Sequence, residues 1–126
     1  MNFARRVFLI AGIYGLLTLL PIYFLEERIG RDEPPAITHA EYFYGFLGAG
    51  LFWQVAFLIL SRDPIRFRPL MIPSVLEKAT FGIAVIVLFA GGRVSGRLLT
   101  FGLIDLAIGI LFVVAYVRTA RSPGSP

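Results

Sequence analysis

Four long apolar runs, parted by short stretches where charge, glycine and proline collect, set the pattern of this chain. The runs cover residues 7–25, 40–60, 75–90 and 98–117. A helix rising about 1.5 Å per residue needs roughly 20 apolar residues to cross the hydrocarbon of a bilayer, and only the third run is clearly short of that. Lipid offers a backbone N–H or C=O no partner, so a run of this kind must be helical. The pattern therefore predicts an all-α transmembrane four-helix bundle, one domain over residues 1–117, with a disordered polar tail at 118–126.

The segment 61–78, SRDPIRFRPLMIPSVLEK, is both basic and proline-rich and joins the two halves. Pro64, Pro69 and Pro73 exclude a continuous helix through it. Ile65-Arg66-Phe67-Arg68 alternates apolar and basic, which suits a chain lying on a membrane surface, with Arg62, Arg66 and Arg68 reaching lipid headgroups. Pro73-Ser74 then opens the third span, with Ser74 and Glu77 as a capping box. Thr38 and Glu41 form a second capping box before the second span, and 26–39 is expected to be an acidic polar loop. Gly45, Gly48, Ala49 and Gly50 make a small-residue patch that would admit another helix.

Composition agrees with the pattern. The chain has 126 residues, is 57% hydrophobic and only 16% charged, and has a mean hydropathy of +0.79. Its net charge of +4 sits at the ends of the apolar runs, which points to membrane lipids rather than nucleic acid as the partner. There is no cysteine and one histidine, His39, so disulfides, thiol chemistry and a histidine-rich metal site drop out, and no cofactor is expected. No phosphate-binding loop, dinucleotide fingerprint, zinc-protease motif or nucleophile elbow occurs. Four spans place Arg5, Arg6, Arg62, Arg66, Arg68, Lys78, Arg118 and Arg121 on one side, against Arg28, Arg31, Arg93 and Arg97 on the other. Eight against four favours both termini in the cytoplasm of a bacterial inner membrane.

Inside the spans, Asp105 is the residue that most requires a reason. It lies seven residues past Leu98 in the fourth run, where a carboxylate costs about 2.5–3.5 kcal/mol on the insertion scale. Gly102 and Gly109 share its helical face, so that face should press on a neighbour. Counting depth puts Tyr44 and Thr18 at its level as candidate hydrogen-bond donors, forming a ligand or ion site, or a structural carboxyl held between helices. A second polar group, Gln54, Glu77, Lys78 and Tyr14, falls nearer the other surface. Lys78 would snorkel there and Glu77 would pair with Arg66 or Arg68.

From Phe52 to Tyr116, the stretch FWQVAFLILSRDPIRFRPLMIPSVLEK, the glycine-arginine turn and GLIDLAIGILFVVAY resemble small, uncharacterised four-span bacterial membrane proteins. These are loosely similar to the DoxX-like proteins. The resemblance implies a compact four-helix membrane bundle and no activity. On the residues alone, a non-enzymatic protein that packs against a membrane-protein partner or copies of itself leads. A small transporter or binder of a lipophilic or cationic ligand, using Asp105, is the alternative.

Overall fold

Where the chain is apolar for twenty residues it is helical. The computed structural model describes residues 2–120, and the sequence-predicted tail beyond them, 121–126, lies outside the described residues. Helix α1 is Asn2–Tyr23, α2 is Glu26–Asp32, α3 is Ala40–Arg62, α4 is Met71–Ala90 and α5 is Gly96–Thr119. A 3-10 turn, Arg68–Leu70, leads directly into α4. Helices α1, α3 and α5, and α4 with its 3-10 turn, are long and apolar enough to cross a membrane. Their outward faces carry Ile10, Leu17, Phe52, Val87 and Ile110 exposed, a surface that only hydrocarbon solvates well. The chain is an integral membrane protein.

Several boundaries differ from the sequence reading, each for a local reason. The acidic stretch after α1 is a short helix rather than a loop, with Glu26 and Glu27 in its first turn, Arg31 in its last and an Arg28–Asp32 pair at 3.6 Å. Helix α4 starts at Met71, ahead of Pro73, because a proline in the first turn gives up an N–H that has no intrahelical acceptor. Ser74 is thus inside the helix, and its hydroxyl donates to Leu70 O at 2.6 Å instead of capping. Thr38 caps nothing; His39 is the N-cap of α3 and makes no side-chain cap bond. Arg118 and Thr119, assigned to the tail, are the last turn of α5.

Helix α1 packs along α3, α4 packs along α5, and α1 against α5 joins the two pairs, while α3 and α4 barely approach one another. Close packing within the pairs depends on glycines. A Cβ at Gly12 would meet Leu58, one at Gly102 would meet Val85, and one at Gly82 would meet Leu106. The expectation that Gly102 and Gly109 face a neighbour is met; of the α3 patch, Gly50 faces Leu19 of α1, where an added Cβ would lie 3.0 Å from Leu19 Cδ1, whereas Gly45 and Gly48 have nothing within 4 Å of an added Cβ.

The packed core lies in the half nearest the termini. Phe8 stacks on Phe112 at 4.2 Å between centroids, and Phe57 meets Phe112 edge-on at 5.0 Å, with Leu60, Met71 and Ala115 closing around them. Arg68 seals this end. Its Nη2 donates to Tyr116 O at 2.9 Å, its Nε donates to Thr119 Oγ1 at 3.1 Å, and its guanidinium lies 3.7 Å from the Tyr116 ring centroid. Arg68, expected at a lipid headgroup, thus holds the Tyr116 carbonyl and the Thr119 hydroxyl in the last turn of α5. Replacing it with alanine should lower stability in detergent by about 2 kcal/mol. Arg66→Ala, which removes only an exposed arginine resting on Phe67, should change it by less than about 0.5 kcal/mol. Thermal unfolding of the two variants measures both.

Candidate functional site

Starting at Met71 rather than Val75 carries Lys78 seven residues into α4, leaving twelve to its far end at Ala90. Helix α5 starts at Gly96, so Asp105 lies nine residues in from that same end. At about 1.5 Å per residue these depths are about 18 Å and about 13 Å, a difference a lysine side chain spans. The two polar groups that depth counting kept apart are thereby one cluster. Lys78 Nζ is 3.6 Å from Asp105 Oδ1 and 3.6 Å from Glu77 Oε2. Its other neighbour is the Phe57 ring, 5.3 Å from Nζ to centroid. A Cβ at Gly109 would come within 3.3 Å of Lys78 Cβ, so the small residue lets the lysine stem lie against α5.

The lysine side chain is 3% exposed, while the Asp105 and Glu77 side chains are 18% and 21% exposed. The ammonium sits behind and the carboxylates face outward. At 3.6 Å the pairs are ionic contacts rather than hydrogen bonds, which leaves acceptor capacity over. Glu77 Oε2 has no hydrogen-bond partner among the described residues, and neither has the buried Gln54 Oε1. Gln54 Nε2 donates to Gly50 O at 2.8 Å, which fixes the amide so that its oxygen is the free atom. The space for that amide exists because Gly15 has no side chain; a Cβ there would collide with it.

Gln54, Glu77, Lys78 and Asp105 form part of the lining of a cavity of about 740 Å³ between α1, α3, α4 and α5, with the two free acceptor atoms buried just behind its wall. Its walls are apolar and aromatic, with Leu19, Phe43, Phe46, Trp53, Phe81 and Phe101 among them. Ile29 of α2 and Glu33 just after it, with Arg97 and Leu98 at the start of α5, lie at the end away from the termini. Beneath the cluster, the phenylalanine core closes the other end. A cavity of this size, apolar with a few convergent polar groups, has the form of a small-molecule site.

Of the predicted site residues, Asp105, Gln54, Glu77, Lys78, Tyr14 and Thr18 all line this cavity. Thr18 does not reach Asp105; its hydroxyl donates to Tyr14 O at 2.9 Å on its own helix. Tyr44 is elsewhere, donating to Glu26 Oε1 at 2.9 Å and packing on Tyr23 near the end of α1. Glu77 pairs with Lys78 rather than with Arg66 or Arg68, and Lys78 turns inward instead of snorkelling. Arg62 and Arg66 are exposed at the termini side. Sequence reasoning missed the Lys78–Asp105 pair and the part α2 plays in the cavity. The first was within reach, since three prolines in 61–78 permit a helix from Met71 once Pro73 is placed in its first turn. No family model matches the chain, and no curated protein or solved structure matches it, so function rests on this geometry.

Removing the ammonium leaves two carboxylates at hydrocarbon depth without a counter-charge. Lys78→Met should cost about 3–5 kcal/mol, and adding Asp105→Asn should recover part of that loss. Reversible unfolding in mixed micelles, run on the single and double variants, checks the sign of the coupling.

Proposed function

We propose that this membrane protein binds a lipophilic cation in the cavity of its bundle, with Asp105 and Glu77 as counter-charges. The observation that carries this is the imbalance at the cluster: two part-exposed carboxylates and one buried ammonium at the wall of an apolar space, with Glu77 Oε2 and Gln54 Oε1 left without hydrogen-bond partners just behind that wall. A cation with an apolar body satisfies both surfaces, because its charge completes the cluster while its body displaces poorly held water from aromatic walls. An anion meets net negative charge, and a neutral apolar molecule leaves the acceptors unpaired.

A second reading, a partner helix or second copy seated on α3, draws on the open space over Gly45 and Gly48. Native mass spectrometry from mild detergent separates the two, since one predicts a small-molecule adduct and the other a fixed stoichiometry.

We further propose a bacterial inner membrane with both termini in the cytoplasm. Among the described residues, Arg5, Arg6, Arg62, Arg66, Arg68 and Arg118 are on the termini side and Arg28, Arg31, Arg93 and Arg97 on the other, Lys78 having withdrawn into the bundle. Arg121 lies outside the described residues. A fluorescent-protein fusion at the C-terminus should mature and an alkaline phosphatase fusion should be inactive; the opposite result reverses the topology.

Tetraphenylphosphonium and tetraphenylborate share a shape and differ in sign of charge. In detergent titrations the protein should bind the first and not the second, and Asp105→Asn should weaken binding at least about tenfold, or about 1.4 kcal/mol. Equal binding of both ions, or an unchanged affinity in Asp105→Asn, sinks the proposal.

A further inference from the structure

The cavity is bounded unequally. Towards water it is crossed by α2, which is fastened at both ends. Glu33 Oε1 accepts from Ser95 Oγ at 2.7 Å, and Ser95 Oγ in turn accepts from Leu98 N at 3.2 Å as the N-cap of α5. At the other end of α2, Glu26 Oε1 holds Tyr44 of α3. Gly30 is buried beneath the following chain, where an added Cβ would lie 3.2 Å from Ala36 Cα. Towards the bilayer the boundary is thin. Helices α3 and α4 both line the cavity and yet stay apart, although helix pairs in contact normally run about 8–10 Å axis to axis.

What spans that gap is a pair of aromatic rings. Phe46 of α3 stacks on Phe81 of α4, centroids 5.6 Å apart, and both rings line the cavity. Phe46 is 52% exposed. It lies six residues in from the start of α3, and Phe81 lies nine residues in from the end of α4. These are depths of about 9 Å and about 13 Å at the helical rise, below the headgroups and among acyl chains. A phenyl ring stacked across a gap moves by side-chain rotation, whereas opening the α2 end breaks two hydrogen bonds to carboxylates.

We infer that the cavity exchanges its ligand with the bilayer, through the slot between α3 and α4 gated by Phe46 and Phe81, and not with water past α2. The inference rests on the cation-binding reading and narrows its ligand class to cations that partition into membranes. The relevant supply is then the concentration dissolved in the leaflet, and hydrophilic cations of equal charge are excluded by route as well as by fit.

The chain has no cysteine, so two pairs can be introduced and bridged cleanly. One protein carries Phe46→Cys with Phe81→Cys, the other Glu33→Cys with Ser95→Cys, each in liposomes with a short thiol-reactive cross-linker. Association and release of tetraphenylphosphonium are followed before bridging and after. Bridging the slot should slow both at least tenfold, and bridging the α2 end should leave them within twofold. As a measurement independent of bridging, Phe46→Ala with Phe81→Ala should speed release several-fold. If the α2 bridge blocks exchange and the slot bridge does not, or if the alanine pair leaves release unchanged, the route is wrong while cation binding stands. If the unbridged wild-type protein binds no tetraphenylphosphonium, the binding reading falls and the route with it.

Discussion

A buried ammonium with two carboxylates beside it is the constraint on which this bundle turns. In hydrocarbon an unpaired charge costs several kcal/mol, and Coulomb attraction over a few ångströms in a low-dielectric interior offsets that cost only when the partners are held in place. Lys78 meets the condition because α4 and α5 run close together, and they do so because Gly82, Gly102 and Gly109 remove side chains along the seam. The Phe57 ring under Nζ keeps the ammonium from turning towards the core. The position of the cluster then divides the bundle. Below it aromatic rings pack closely with fully buried side chains; above it each helix pair stays in contact, but α3 and α4 part and leave the cavity between the pairs.

That division gives the two halves different work. The termini half is closely packed, with Phe8, Phe57 and Phe112 in contact and Arg68 bound to the last turn of α5. It sets the angle at which the two helix pairs diverge. The far half inherits the divergence as open space, which α2 covers at one side only. The cavity thus follows from packing: two close helix pairs joined through α1 and α5 over an aromatic floor, with α3 and α4 left apart.

Much of the fold was legible because hydrocarbon imposes it. Four runs of apolar residues leave few alternatives to four helices, though which apolar residues face outward, Ile10, Phe52 and Ile110 among them, came only with the structure. The glycines of α5 were read correctly as a contact face, for Asp105 had to point at something. The site itself was half legible. Asp105, Glu77, Lys78, Gln54 and Tyr14 were all picked out as polar residues in apolar runs, but depth was counted from helix starts that were four residues late for α4 and two for α5. One helical turn separates a snorkelling lysine from a buried one. Tyr44 and Thr18 failed for a different reason: each had a nearer acceptor, Glu26 on α2 and the carbonyl of Tyr14, and a hydroxyl takes the partner that local geometry supplies first. Helix α2 was hidden because seven residues with Ile29 as their one apolar side chain show no periodicity.

The ion pair also has a consequence for how the protein is made. Lys78 and Asp105 belong to consecutive helices, and the ribosome delivers the lysine first. Until α5 follows, α4 carries Lys78 and Glu77 with no Asp105 to complete the cluster, and Arg68 has no Tyr116 carbonyl or Thr119 hydroxyl to hold. Only the tight turn after Ala90 separates the two helices, which lets them leave the translocon as one hairpin with charges already matched. The unit of insertion for the second half of the molecule is therefore the pair of helices, and a chain interrupted between them would have reason to slip back out of the bilayer.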